Sequence, residues 1–244
     1  IRRLYRRCDA LVAPSESFAQ VLRQQRMNYD IDIWSRGVDR DIFDPSQRDM
    51  EWRRGLAIAD NTPVIGFLGR LVMEKGLDVF SDAIDQLRRR KVPHQVMVIG
   101  DGPARPWFET RIPDAKFVGF QVGSDLGRAV ASMDMFFNPS VTEAFGNVTL
   151  ESMASGLPVV AAKATGSQSL VEDKVSGRLI TPGAINQFTD ALQAYCVDED
   201  LRTKHGAAGE QRSLDYSWDA INQTMADTYL RLIRQNAARA VASR

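Results

Sequence analysis

Met135–Ala162 reads MFFNPSVTEAFGNVTLESMASGLPVVAA. It opens on a short apolar run that ends at Pro139 and passes into a polar loop with a Phe145-Gly146-Asn147 turn. A helix-like stretch follows from Val148 to Ser155, and Pro158–Ala162 returns to apolar, β-branched residues. Strand, loop, helix and strand in so short a span predict a βαβ unit. The two apolar runs lack the in–out alternation of a half-exposed strand, which places them in a parallel sheet covered on both faces.

The same theme recurs outward from this segment. TPVIGFLG (Thr62–Gly69), QVMVIG (Gln95–Gly100), KFVGF (Lys116–Phe120) and GRLIT (Gly177–Thr181) are further strand candidates. Helix candidates lie at Leu77–Lys91, Pro103–Ile112, Ser124–Ser132 and Ser167–Asp173. The expected fold is therefore α/β, a Rossmann-like parallel sheet flanked by helices. Three helical stretches follow between Ala184 and about Asn236, the last of them long. It is expected to carry Trp218, Ile221, Met225, Tyr229 and Leu232 or Ile233 on one stripe. Upstream, DALVAPSESFAQVLRQ reads as a strand end, a Ser15 cap and a helix. IDIWSRGVDRDIFDP reads as a strand and a turn-rich connector with Gly37 and Pro45.

Composition narrows the function. The chain has 244 residues, 44% hydrophobic and 25% charged, the profile of an ordinary globular protein. Lys plus Arg is 31 and Asp plus Glu is 31, a balance that argues against a nucleic-acid partner held by phosphate neutralisation. Cys8 and Cys196 have neither metal-ligand nor disulfide-framework spacing, so a reducing, cytoplasmic setting is expected. Ligands of open parallel sheets bind beyond the carboxyl ends of the strands. In GRLVMEKG, Gly69 permits a tight turn, and Arg70 and Lys75 place two cations on one loop. That loop reads as a clamp on a diphosphate or as a solvated surface turn. IGDGP (Ile99–Pro103) is a glycine turn before a helix. Glu143 and Glu151 bracket the helix start at Gly146 and Asn147, whose amides suit phosphate. One acid would hold a hexose and the other a ribose; alternatively they are a solvated acid and an acid favoured in a first helical turn. His94 and His205 are expected at the surface, away from chemistry. Asp-x-Asp pairs at Asp30/Asp32, Asp39/Asp41 and Asp198/Asp200 do not follow a strand end near the phosphates, and Arg70 and Lys75 already supply positive charge. No metal or other cofactor is expected.

GRLVMEKG, IGDGP, FVGF and PSVTEAFGNVTLESMASGLPVVA together resemble the donor-binding half of family 4 glycosyltransferases of the GT-B fold, over roughly Ile31 to Gly183. Met73 departs from the proline or small apolar residue of many relatives. The resemblance implies a retaining glycosyltransferase that moves a hexose from a nucleotide-diphosphate sugar. The wording is closest to bacterial GDP-mannose enzymes, with UDP-sugars as the alternative donor. It implies that Arg70 and Lys75 neutralise the diphosphate and that Glu143 touches the transferred sugar. Phe145, Gly146, Asn147 and Val148 would border sugar and phosphate, Glu151 would hold the ribose, and Val118 and Gly119 would border the base. It implies three regions: residues 1–40 as the end of an acceptor domain and its connector, 41–215 as the nucleotide-sugar domain, and 216–244 as a helix packing back toward the acceptor domain. The acceptor, a sugar or lipid-linked sugar, would be held mainly by that other domain, with peripheral contact at the inner face of a membrane. The basic start IRRLYRRC reads as a membrane-proximal helix or as a solvated face. The isolated chain is expected not to turn over. A nucleotide-sugar-binding module without turnover and a UDP-sugar epimerase are the alternatives.

Overall fold

A computed structural model of the protein describes residues 2–242. A first small unit holds α1 (Arg2–Tyr5), β1 (Leu11–Ala13), α2 (Glu16–Gln24) and β2 (Ile31–Ile33), with β1 and β2 paired in parallel. A connector then leads through α3 (Met50–Gly55) to β3 (Val64–Leu68). From there strands and helices alternate: α4 (Leu77–Arg89), β4 (Gln95–Ile99), α5 (Arg105–Arg111), β5 (Lys116–Gly119), α6 (Gly123–Ala131), β6 (Met135–Asn138), α7 (Asn147–Ala154), β7 (Val159–Ala162), α8 (Thr165–Leu170) and β8 (Gly177–Ile180). Helices α9 (Ile185–Val197), α10 (Glu199–Ser213) and α11 (Trp218–Ala242) complete the chain.

The six strands β3–β8 form one wholly parallel sheet in the order β5-β4-β3-β6-β7-β8. All six expected strands are present. Their side chains divide by alternation between two cores. On one face Ile65, Phe67, Val96, Val98, Met135, Phe137, Val160 and Ala162 meet α4, α5 and α9, where Phe80, Phe108 and Phe188 pack edge-on, stacked or tilted against them. On the other, Val64, Met97, Ile99, Phe136, Val159 and Ala161 meet α6, α7 and α8. Gly66 leaves room for Met133, whose Sδ would lie 1.6 Å from a Cβ there. Burial on both faces is why β3, β4, β6 and β7 read as unbroken apolar runs, while β5 and β8 at the sheet edges are only half-buried in part or throughout.

The order of the strands creates the site. β3 lies beside β6, and the chain leaves them in opposite directions, to α4 on one face and to α7 on the other. The sheet reverses its winding at this pair, which opens a crevice at their carboxyl ends.

Two expectations fail. His205 is buried, 5% exposed, and its Nδ1 lies 2.7 Å from the Tyr195 hydroxyl. The cause is the neighbouring Gly206, whose missing Cβ lets α10 approach the Gly156 carbonyl, drawing this face of the helix inward. The stripe on α11 is also rotated. Ile221 and Thr228 are buried and Met225 and Leu232 half-buried, whereas Trp218, Tyr229 and Ile233 are exposed. Polar anchors fix the rotation: Thr228 Oγ1 donates to Asp32 (3.0 Å), and Arg231 pairs with Asp30 (3.2 Å) and Asp32 (2.5 Å). His94 is half-buried, its Nδ1 2.7 Å from the Val92 carbonyl, and burial lowers its pKa. Of the basic start, Ile1 lies outside the described residues.

Candidate functional site

Three loops meet at the carboxyl edge. After β3, Gly69 has φ +145° and its amide donates to the Ile99 carbonyl (3.0 Å); Leu71 donates to the Asp101 carbonyl (2.9 Å). A Cβ on Gly100 would lie 2.0 Å from the Gly69 oxygen, so the loops after β3 and β4 are clasped backbone to backbone. Gly76 is left-handed at φ +75° and starts α4 directly after the Met73–Lys75 turn. A Cβ there would be 3.1 Å from the Pro139 ring, so the loops after β3 and β6 also touch.

That contact brings two predicted residues together. Lys75 Nζ lies 2.5 Å from Glu143 Oε1, with side chains 26% and 18% exposed. The cation from the β3 loop and the acid from the β6 loop thus close the crevice as a partly desolvated ion pair. Each holds the other in place, and Lys75 keeps two further N–H donors for a ligand. Arg70 is exposed and makes no side-chain hydrogen bond or ion pair with a described residue.

The β6 loop is tied from below. Asn138 donates to Thr149 Oγ1 (3.2 Å) and accepts from the Ser140 amide (3.1 Å). Phe145 is buried and its ring meets Tyr216, with centroids 5.9 Å apart. Gly146 is left-handed at φ +96° and caps α7 with no side chain. The amides of Asn147 and Val148, in the first turn, meet no acceptor among the described residues. They sit where a helix end attracts phosphate. Glu151 lies a turn further on, half-buried, and no described group hydrogen-bonds its carboxylate. Loss of solvation pushes its pKa from 4.5 up to about 7.

Val118 and Gly119 sit at the end of β5 on the same edge. The Gly119 carbonyl accepts from the Gly100 amide (2.8 Å), and the Val118 carbonyl accepts from Gln121 Nε2 (2.6 Å). Gly100 links them to the β3 loop. Among the described residues no three His, Cys, Asp or Glu side chains gather as a metal ion would need.

Sequence reasoning missed the outer support of the Glu143 loop. Helix α8 begins at Thr165 rather than at Ser167, and its first residues seize the loop. The Glu143 carbonyl accepts from Thr165 Oγ1 (2.7 Å) and from the Gly166 amide (2.9 Å). A Cβ on Gly166 would lie 2.7 Å from the Phe145 oxygen. The Thr-Gly pair after the AAKA run was the available signal.

The comparisons identify the family and the fold. Residues 62–198 match the family model described as "Glycosyl transferases group 1". The chain is 33% identical to the GDP-mannose-dependent alpha-mannosyltransferase of Mycolicibacterium smegmatis, over 98% of this chain and 61% of that protein. It is 28% identical to the protein of that name from Corynebacterium glutamicum, over 96% and 55%. The chain thus spans a little over half the length of these relatives. Among solved structures, the Anabaena protein HepE in complex with UDP-glucose is 26% identical, with a TM-score of 0.80, over 94% of this chain and 66% of that one. The chain belongs to the group 1 glycosyl transferases, and its sheet and flanking helices are those of a GT-B protein.

Proposed function

We propose that this chain is the donor-binding half of a retaining glycosyltransferase that moves a hexose, mannose first among candidates, from a nucleotide-diphosphate sugar. The observation that carries the reading is the Lys75–Glu143 pair across the switch point, beside the free amides that open α7. Lys75 and Arg70 neutralise the diphosphate and support the departing nucleotide, aided by the Asn147 and Val148 amides. Glu143 holds the sugar at its hydroxyls, Glu151 takes the ribose, and the Val118–Gly119 edge borders the base. Such a site accelerates transfer by positioning and by stabilising charge on the leaving group. Mannose is favoured by two relatives named for GDP-mannose. In the same reading, residues 1–40 and 216–244 belong to, or face, the acceptor side.

Thermal protection tests the donor. A ligand present at about 100 times its Kd stabilises by about 2.7 kcal/mol. GDP-mannose is expected to raise the melting temperature more than UDP-glucose does, with GDP and UDP as references. Equal melting curves with all four, at millimolar concentration, would remove the proposal.

A further inference from the structure

Helix α2 belongs to the small first unit, yet its N-terminus is hydrogen-bonded to the loop that carries Glu143. Ser15 is 3% exposed. Its Oγ donates to the Ala144 carbonyl (3.0 Å) while accepting the Phe18 amide as the cap of α2 (3.3 Å). Ser17 Oγ donates to the Thr165 carbonyl and lies 2.9 Å from Ser169 Oγ. Thr165 in turn donates through Oγ1 to the Glu143 carbonyl. Two routes therefore leave one turn of α2 and end on consecutive peptide units, one at Glu143 and one at Ala144. A cap requires only that Ser15 accept a hydrogen bond. It does not require the hydroxyl proton to be spent on a loop 129 residues away in sequence. Nor does α2 need Ser17 for its own backbone.

We infer that Ser15 and Ser17 are positioning residues that latch the Glu143 loop to the first unit, so that the sugar-binding carboxylate is placed only when that unit is docked. This rests on the proposed role of Glu143. Lys75 is carried by the β3 loop, which is clasped to the β4 loop and not to α2, so release of the latch loosens the Glu143 side of the ion pair first. Nucleotide contacts through Lys75 and α7 then survive, and the contribution of the sugar does not.

The substitutions separate latch from cap. Ser15→Asp keeps the acceptor that caps α2 but has no proton for the Ala144 carbonyl; Ser17→Ala removes the donor to Thr165; Ser15→Thr and Ser17→Thr keep both hydroxyls. Hydrogen exchange of residues 141–145 in the ligand-free chain is the first readout. The Ser15→Asp/Ser17→Ala chain is expected to exchange there roughly 10- to 100-fold faster, as loss of two hydrogen bonds implies, with β3, β4 and β6 unchanged and both threonine variants near wild type. Calorimetry is the second: the double variant binds GDP within about twofold of wild type and loses most of the extra affinity of GDP-mannose over GDP. Unchanged exchange at 141–145 in the double variant, or exchange in Ser15→Asp alone as slow as in Ser15→Thr, overturns the latch. Faster exchange in a chain whose wild type binds neither probe upholds the latch and rejects the donor assignment instead.

Discussion

Glu151 and Glu143 sit on one loop and helix but in opposite electrostatic situations. Glu143 has a cation 2.5 Å away. No described cation pairs with Glu151, and burial pushes its pKa to about 7. Its folded pKa lies above its ordinary 4.5, so the folded protein holds this proton longer than the unfolded chain. Stability linked to this carboxyl is therefore present below about pH 4.5 and lost as pH rises toward 7. Glu151→Gln is expected to remove that slope and to raise the melting temperature at pH 8 relative to wild type, by a free energy of at most about 3 kcal/mol. Melting curves from pH 5 to 8 check it; a variant that parallels wild type across the range would show that the acid is solvated. Ribose hydroxyls donate best to the ionised form, so nucleotide affinity through this residue is expected to rise with pH and to do so less in Glu151→Gln.

At the scale of elements, the strands were legible and their supports were not. Val64–Leu68 and Met135–Asn138 are buried on both faces, so hydrophobicity alone marks them. The glycine turns at Gly69, Gly100 and Gly146 were legible too, because each needs a positive φ or a close approach that only glycine supplies. Thr165 and Gly166 were not, since their work is tertiary: they bond the carbonyl of Glu143, 22 residues before Thr165. Ser15 read correctly as a cap and gave no sign of its second bond. The inward face of α11 was misplaced because Asp30 and Asp32, not an apolar surface, set its rotation. Gly166→Ala tests the support at this level. Its Cβ must displace the Phe145 carbonyl at 2.7 Å or the Glu143 Cβ at 2.9 Å. The expected cost is about 1–3 kcal/mol, read by denaturant unfolding, with the GDP-mannose increment lost as well. A variant as stable as wild type would mean that α8 can yield and does not hold the loop.

For the whole molecule, the proposed reading makes the crevice at the β3–β6 switch point one wall of a cleft. No described helix is long and apolar enough to cross a membrane, while α11 leaves Tyr229, Leu230 and Ile233 exposed beside the first unit. Transfer needs an acceptor aligned with the donor, and alignment is worth a large share of the barrier. The 244 residues alone are therefore expected to bind donor without transferring sugar. Labelled GDP-mannose, incubated with the chain and a panel of sugar and lipid acceptors, should give no product; steady turnover would show that the chain holds an acceptor site as well. In the proposed reading the loops after β3 and β6 divide the donor between them, diphosphate on Lys75 and sugar on Glu143. Calorimetry of Lys75→Ala and Glu143→Gln with GDP and GDP-mannose tests it most directly. Lys75→Ala should weaken both ligands roughly 10- to 100-fold, the loss of a charge-assisted contact. Glu143→Gln should bind GDP at least as well as wild type and lose only what mannose adds. Equal losses in both variants for both ligands, or no loss in either, would contradict the account.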